Sequence, residues 1–275
     1  MTNKKVVVIT GASSGMGLET AKLMADQGFT VYGGARHIDS IEKIDNINTL
    51  KLDVTDSESV NNFVETIMDQ QGRIDIIINS AGYGELGPAE EISMDRIKRQ
   101  FDTNFFGIVE LTQLVLPIMR KQGSGRIVNI SSIGGDIYSP LGAYYHASKA
   151  ALQQWSDTLD MEVKQFNIRS VIVQPGGTQS AWGSVARDKI NQNMHDNKAY
   201  EKLADIMTST LADDASGMSA TSADLAKVFF AAATDKNPKR RYFNNFHDHL
   251  TVIVARALPN LFRSQLNKSL RRLNN

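Results

Sequence analysis

The chain contains no cysteine. That removes disulfides, thiol nucleophiles and thiolate metal sites, and it fits a reducing compartment, so a cytoplasmic location is expected. No apolar run approaches the ~18 residues that a spanning helix requires, and no integral membrane span is expected. Near the N-terminus Lys4 and Lys5 precede only Val6 to Ile9, too short for a signal-peptide core, and the segment reads as mature sequence. There is no internal repeat or low-complexity tract. Formal net charge is zero, but its distribution is lopsided. From Lys236 onward nine basic residues face a single acid, Asp248, which leaves an acidic excess in the first 235 residues. These basic residues are interleaved with apolar ones and read as a solvated helix face, so nucleic acid is not an expected partner.

At 275 residues and 41% hydrophobic composition the chain is sized for one domain around a sizeable core. Short β-branched runs at Lys4 to Thr10, Thr30 to Ala35, Asn48 to Asp53, Ile74 to Asn79, Gly125 to Ser131 and Ile168 to Gln174 alternate with helical patterns. The helices are expected at Gly15 to Gln27, Asp56 to Gln71, Ser93 to Lys121, Ala143 to Phe166 and Ser222 to Ala233. The strands are continuously apolar, as in a parallel sheet covered on both faces. The expected fold class is α/β, a single Rossmann-type doubly wound domain. Residues 1–177 would form its core, 178–218 a substrate lid and 219–275 the C-terminal helices. The two longest helices are apolar almost all round, which predicts a homodimer or homotetramer built through them.

Gly11, Gly15 and Gly17 fall where the first strand gives way to the first helix, so backbone amides can face a pyrophosphate at the helix N-terminus. No Gly-Lys-Ser/Thr follows, which excludes a P-loop. The second strand ends in Gly33-Gly34-Ala35-Arg36 without the acid that reads a free ribose 2′-hydroxyl. Arg36 either meets a 2′-phosphate bidentately, favouring NADP over NAD, or faces solvent. Tyr145 and Lys149, four residues apart on a predicted helix, share a face that can aim a phenol and an ammonium into one cleft.

With these motifs in order, the chain resembles the classical branch of the short-chain dehydrogenase/reductase family over roughly Lys5 to Ser180. The resemblance rests on TGASSGMG from Thr10 to Gly17, Asp53-Val54, Asn79-Ser80-Ala81-Gly82, Asn104, Ser132, Tyr145 with Lys149, and Pro175-Gly176. It implies that Gly11, Ser13, Gly15 and Met16 line the diphosphate and ribose, and that Asp53 and Val54 flank the adenine. Asn79, Ala81 and Gly82 would stabilise the central strand beside the cofactor, with Pro175 and Gly176 near the nicotinamide. Thr178 and Ser180 compete for its carboxamide. Tyr145 becomes the general acid/base, helped by Ser132, Lys149 and, through a water, Asn104. The chain departs from the family pattern at Ser80, where a second Asn is usual, and at Ser180, where Thr is common.

The expected chemistry is hydride transfer between NADP(H) and an apolar carbonyl or alcohol, with Tyr83, Leu86, Ile137, Tyr138, Leu141 and Trp182 lining the pocket. A phenol working at neutral pH needs its pKa lowered by about three units, which Lys149 and an oxidised nicotinamide would supply. The alternatives are an NADP-binding sensor or scaffold without turnover and an acyl-thioester ketoreductase. His247 and His249 lack further ligands, and no metal is assigned. Phe262, Leu266, Leu270 and Leu273 form a stripe beside basic residues after Pro259. Docking of that stripe on the lid or a partner subunit is preferred over an anionic membrane surface.

Overall fold

The computed structural model describes residues 4–38, 44, 46–179, 181–195, 198–213 and 220–273. Seven parallel strands form one sheet: β1 (Val6–Thr10), β2 (Thr30–Ala35), β3 (Ile47–Lys51), β4 (Ile76–Asn79), β5 (Gly125–Ile130), β6 (Ile168–Val173) and β9 (Arg241–Tyr242). Their order is β3-β2-β1-β4-β5-β6-β9. The chain therefore winds outward in both directions from β1 and β4, and the crevice at their carboxyl ends is where a doubly wound fold takes its ligand.

Alternation along β1 shows why the strands read as continuous apolar runs. Val6 and Val8 enter one core, with Tyr32, Phe63 and Leu111, while Val7 and Ile9 enter the other, with Met24, Val31 and Phe229. The first core is covered by α2 (Ser57–Gln71), α4 (Gly107–Gln122) and α5 (Ala143–Val163). Over the second lie α1 (Gly15–Asp26) and α8 (Ser222–Thr234), packed on each other. Asp56 caps α2 by accepting from the amides of Glu58 and Ser59, and a Thr221–Asp224 capping box starts α8.

Strand β9 was not foreseen, nor were two further features. The predicted helix from Ser93 to Lys121 is divided: α3 (Met94–Phe101) and α4 are joined by a π-helical turn at Asp102–Phe106. Between β6 and α8, two short strands, β7 (Thr178–Gln179) and β8 (Ala220–Thr221), pair in parallel. They bracket a segment containing α6 (Ala181–Gln192) and α7 (Glu201–Asp213). After β9 the chain ends in α9 (Phe246–Ala257) and α10 (Pro259–Leu273). No helix among the described residues is long and apolar enough to cross a membrane.

Candidate active site

At the end of β1, Gly11 has φ +69, and a side chain there would press on the backbone of Ala81. A side chain at Gly17 would collide with the Gly11 carbonyl, so the turn into α1 closes only with glycine at both positions. Ser14, the α1 N-cap, makes no side-chain capping bond, and the first turn carries no acid. Amides at that helix start are thus placed for an anion. Thr10 Oγ1 accepts from the amides of Ser80 and Ala81, both at 3.0 Å, which ties β1 to the loop after β4.

Arg36 is exposed at the end of β2. Burial works to raise the carboxyl of Asp53, but hydrogen bonds from Thr55 and the charges of Arg36 and Lys51 outweigh it and leave it below its ordinary value. Val54 is buried. Asn79 is fully buried and donates to Asn129 Oδ1 at 2.8 Å, while Asn129 donates to Ser156 and Ser170. The Asn79 side chain therefore belongs to a polar ladder inside the sheet and reaches the crevice only through its backbone. Pro175 is buried behind the Ser132 loop, and Gly176 lies against the Asp248 carboxylate. Ser13, Gly15, Met16 and Thr178 are exposed or half-buried around the crevice. Ser180 lies outside the described residues.

Across the crevice, Tyr145 and Lys149 are buried on α5, at 7% and 6% exposure. Ser132 hydrogen-bonds the Tyr145 phenol. Its loop is held from several sides: Ser132 Oγ accepts from Gly134 N at 3.0 Å, and the Ser132 carbonyl accepts from Gln153 Nε2 at 3.0 Å and Gln174 Nε2 at 3.3 Å. Gln174 also donates to Asp136, which pairs with Arg256 of α9. Lys149 Nζ donates to Ile130 O at 2.9 Å. Asn104 sits in the π-helical turn, fully buried, and exchanges hydrogen bonds with the Tyr83 backbone at 2.9 and 3.1 Å. A Cβ built on Gly82 would lie 3.1 Å from Asn104 Oδ1 and 3.3 Å from Lys149 Nζ, so both flank one point of the crevice. The extra residue of a π turn rotates the side chains that follow it, a common device at functional sites.

The electrostatics run opposite to the expected lowering of the phenol pKa. Burial pushes the Tyr145 phenol up to about 12, against the smaller opposing effect of its bond with Ser132. Desolvation also brings the Lys149 ammonium down to about 8. The protein alone thus holds Tyr145 as a neutral phenol, ready to donate a proton. The indole of Trp182 on α6 lies 5.4 Å from the Tyr145 ring, and Leu86, Leu141, Ala186 and Ile190 complete an apolar cluster around it. Tyr138, 45% exposed, meets Phe262 of α10 edge-on at 5.4 Å. In α10, Phe262, Leu266 and Leu270 are half-buried.

Beneath the apolar cluster lies a polar latch that sequence reasoning missed. Glu85, 2% exposed, pairs with Arg96 of α3 at 3.4 Å and with Lys189 of α6 at 3.5 Å. Asn193, just past α6, donates to Glu85 Oε1 at 2.9 Å and to Leu86 O at 2.8 Å, and it accepts from Arg96. These residues are scattered over more than a hundred positions, and no spacing marks them. Helix α6 is therefore pinned to the loop after β4 by mutually satisfied polar groups, of which Glu85 and Asn193 are buried.

His146 was missed as well. Its Nε2 accepts from Ser139 N at 3.1 Å and its Nδ1 meets Gly134 O at 2.7 Å, which defines the neutral Nδ1–H form. Burial lowers its pKa below the ordinary value. On acidification the unfolded chain therefore takes up the proton first, so this stabilisation is present above about pH 6.5 and is lost below it. Thermal melting is expected to fall between pH 7 and pH 5, and His146→Gln to flatten that dependence. Parallel melting curves for the two proteins would refute the assignment.

The sequence model of the short chain dehydrogenase family matches residues 5–191. The chain belongs to the short-chain dehydrogenase/reductase family. It is accordingly an oxidoreductase of a family that binds a nicotinamide cofactor. A 3-ketodihydrosphingosine reductase of Bacteroides thetaiotaomicron is 45% identical over 172 residues, covering 62% of this chain and 63% of that protein, just under two thirds of its length. The oxidoreductase YbbO of Escherichia coli is 35% identical over 259 residues, 93% of this chain and 91% of that protein. A short-chain dehydrogenase from Streptomyces avermitilis has the same fold, with TM-score 0.80 and 27% identity over the whole of both chains.

Proposed function

We propose that the protein transfers a hydride between NADP(H) and an apolar ketone, aldehyde or alcohol, with Tyr145 as proton donor and acceptor. The observation that carries this reading is the convergence of Ser132, Tyr145, Lys149 and Asn104 on one crevice, roofed by the apolar cluster of Trp182, Leu86 and Leu141. The pyrophosphate fits the glycine turn and the uncapped start of α1, with Gly11, Ser13, Gly15 and Met16 around it. Arg36 would take a 2′-phosphate, and Asp53 and Val54 would flank the adenine.

When bound, the nicotinamide supplies or accepts the hydride. Ser132 and Tyr145 hold the carbonyl oxygen, and the Tyr145 phenol protonates it as negative charge develops. Lys149, anchored on Ile130 O, would lower the phenol pKa when charged and would help hold the coenzyme's ribose. Asn104 holds a water that resupplies the proton. The Trp182 roof excludes bulk water and selects apolar substituents. The Bacteroides relative bears the name 3-ketodihydrosphingosine reductase, and reduction of a keto group is the reaction type of this reading.

Phe106, the last residue of the π-helical turn that leads into α4, is 56% exposed and abuts Phe105, which meets Trp155 of α5 edge-on at 6.2 Å. That aromatic face supports self-association into a homodimer or homotetramer, readable as mass by light scattering. A cytoplasmic location agrees with the absence of cysteine.

A carbonyl and alcohol panel with NADPH, NADH and their oxidised forms, followed at the nicotinamide absorbance, tests the reaction. NADPH is expected to bind more tightly than NADH. Arg36→Asp should reduce or reverse that preference, since a carboxylate repels the 2′-phosphate and accepts from free ribose hydroxyls. Equal affinities for the two coenzymes in the unaltered protein would remove the NADP assignment.

A further inference from the structure

Helix α9 has two unlike sides. Val252, Ala255 and Asp248 are buried against the body of the protein. On the opposite side Phe246, Leu250 and Ile253 recur at i, i+4 and i+7 and are 76%, 44% and 47% exposed. Leu258 and Leu261 extend the run past the end of the helix, at 52% and 47% exposure. Exposed apolar residues scattered singly need no explanation, but three on one face of a helix with two more exposed just beyond it do.

Beside this stripe lies a hollow of about 470 Å³ whose walls include Lys239, Arg240, Arg241 and Arg256 together with Phe246 and Ile253. Arg241 is neutralised by Asp157 at 2.8 Å and Arg256 by Asp136. Arg240 reaches the same Asp157 only at 3.5 Å and stays 60% exposed, and Lys239 is exposed. Two positive charges therefore remain in excess there. Arg263 and Lys268 add two more on α10, around a second hollow of about 460 Å³. The only acid beyond residue 235 is Asp248, and it is buried.

We propose that the outer face of α9 docks on an anionic lipid surface. Phe246, Leu250 and Ile253 enter the boundary between headgroups and acyl chains, and Lys239 and Arg240 meet headgroup phosphates. The charge decides between this and the other natural occupant of an apolar stripe, a second copy of the chain. A two-fold contact through this face sets one basic hollow against the other, which is repulsive. An anionic membrane surface accepts the apolar stripe and the positive charge together. The inference rests on neither the cofactor nor the reaction. It concerns a face distinct from the α10 stripe, whose Phe262, Leu266 and Leu270 are half-buried within the protomer.

The test is co-sedimentation of the full-length protein with phosphatidylcholine vesicles, with and without about one third phosphatidylserine. Binding is expected only with phosphatidylserine and should weaken as salt rises. Replacing Lys239 and Arg240 together by Gln should weaken it about thirtyfold. The pair Phe246→Ser and Leu250→Ser should abolish it. Both variants alter exposed side chains and should keep the melting temperature of the unaltered protein. Failure of the unaltered protein to bind the anionic vesicles, or equal binding to both vesicle types, would overturn the proposal. So would serine variants that still bind vesicles but lose mass in solution, which would assign the stripe to a second copy.

Discussion

Tyr145→Phe is expected to lower kcat on a soluble carbonyl by ~10²–10⁴-fold, the range that a positioned proton donor contributes. The ring is 7% exposed and packs against Trp182, and phenylalanine preserves that packing while deleting the hydroxyl that Ser132 engages. NADPH affinity, read by fluorescence titration, should stay close to that of the unaltered protein. The pairing of lost turnover with retained binding and folding is the signature of an interaction made in the transition state. A purified, folded variant that kept a substantial fraction of kcat would remove Tyr145 from the role of acid.

The second large effect is expected at the latch. Glu85→Ala leaves Arg96, Lys189 and Asn193 facing an empty site, and breaking a buried ion pair ordinarily costs ~3–5 kcal/mol. Here both cations keep partial contact with water, at 32% and 25% exposure, so ~2–3 kcal/mol is expected, or about 5–10 °C in Tm for a domain of this size. Because the latch holds α6, KM for the carbonyl should rise as well. Differential scanning calorimetry checks the first and steady-state kinetics the second. A melting temperature within about 1 °C of the unaltered protein would show that the latch adds nothing to stability.

Legibility of the fold followed the local signal. β2 is found at Thr30–Ala35, as its apolar run indicated, and α1 and α2 each lie within a residue of the bounds expected for them, Gly15 to Gln27 and Asp56 to Gln71. The π-helical turn at Asp102–Phe106 was invisible, because one inserted residue barely alters an apolar pattern that already runs round the helix. β9 escaped because two residues have no periodicity, and only their pairing with Ile172 and Val173 makes them a strand. At the site, Tyr145 and Lys149 could be paired by spacing and Ser132 was implied by the family resemblance; Ser132 bonds the Tyr145 phenol, and Tyr145 and Lys149 are both buried on α5. What spacing could not reveal was their charge state. The upward shift of the phenol comes from its burial, to which Trp182 contributes from a distant part of the chain. The same limit hid the Glu85 latch and the Arg256–Asp136–Gln174 support of Ser132.

The strand order has a consequence for how the chain is made. β1, translated first, ends at the centre of the sheet, and α1 finds its partner only when α8 arrives, some 200 residues later. At ordinary synthesis speeds that interval is about 10–40 s. Throughout it Val7, Ile9, Met24 and Val31 lack the cover of Phe229 and Leu225. Sequence-distant pairing of this kind is slow to form, so the first half of the nascent chain must wait, sticky and unfinished, for its last quarter.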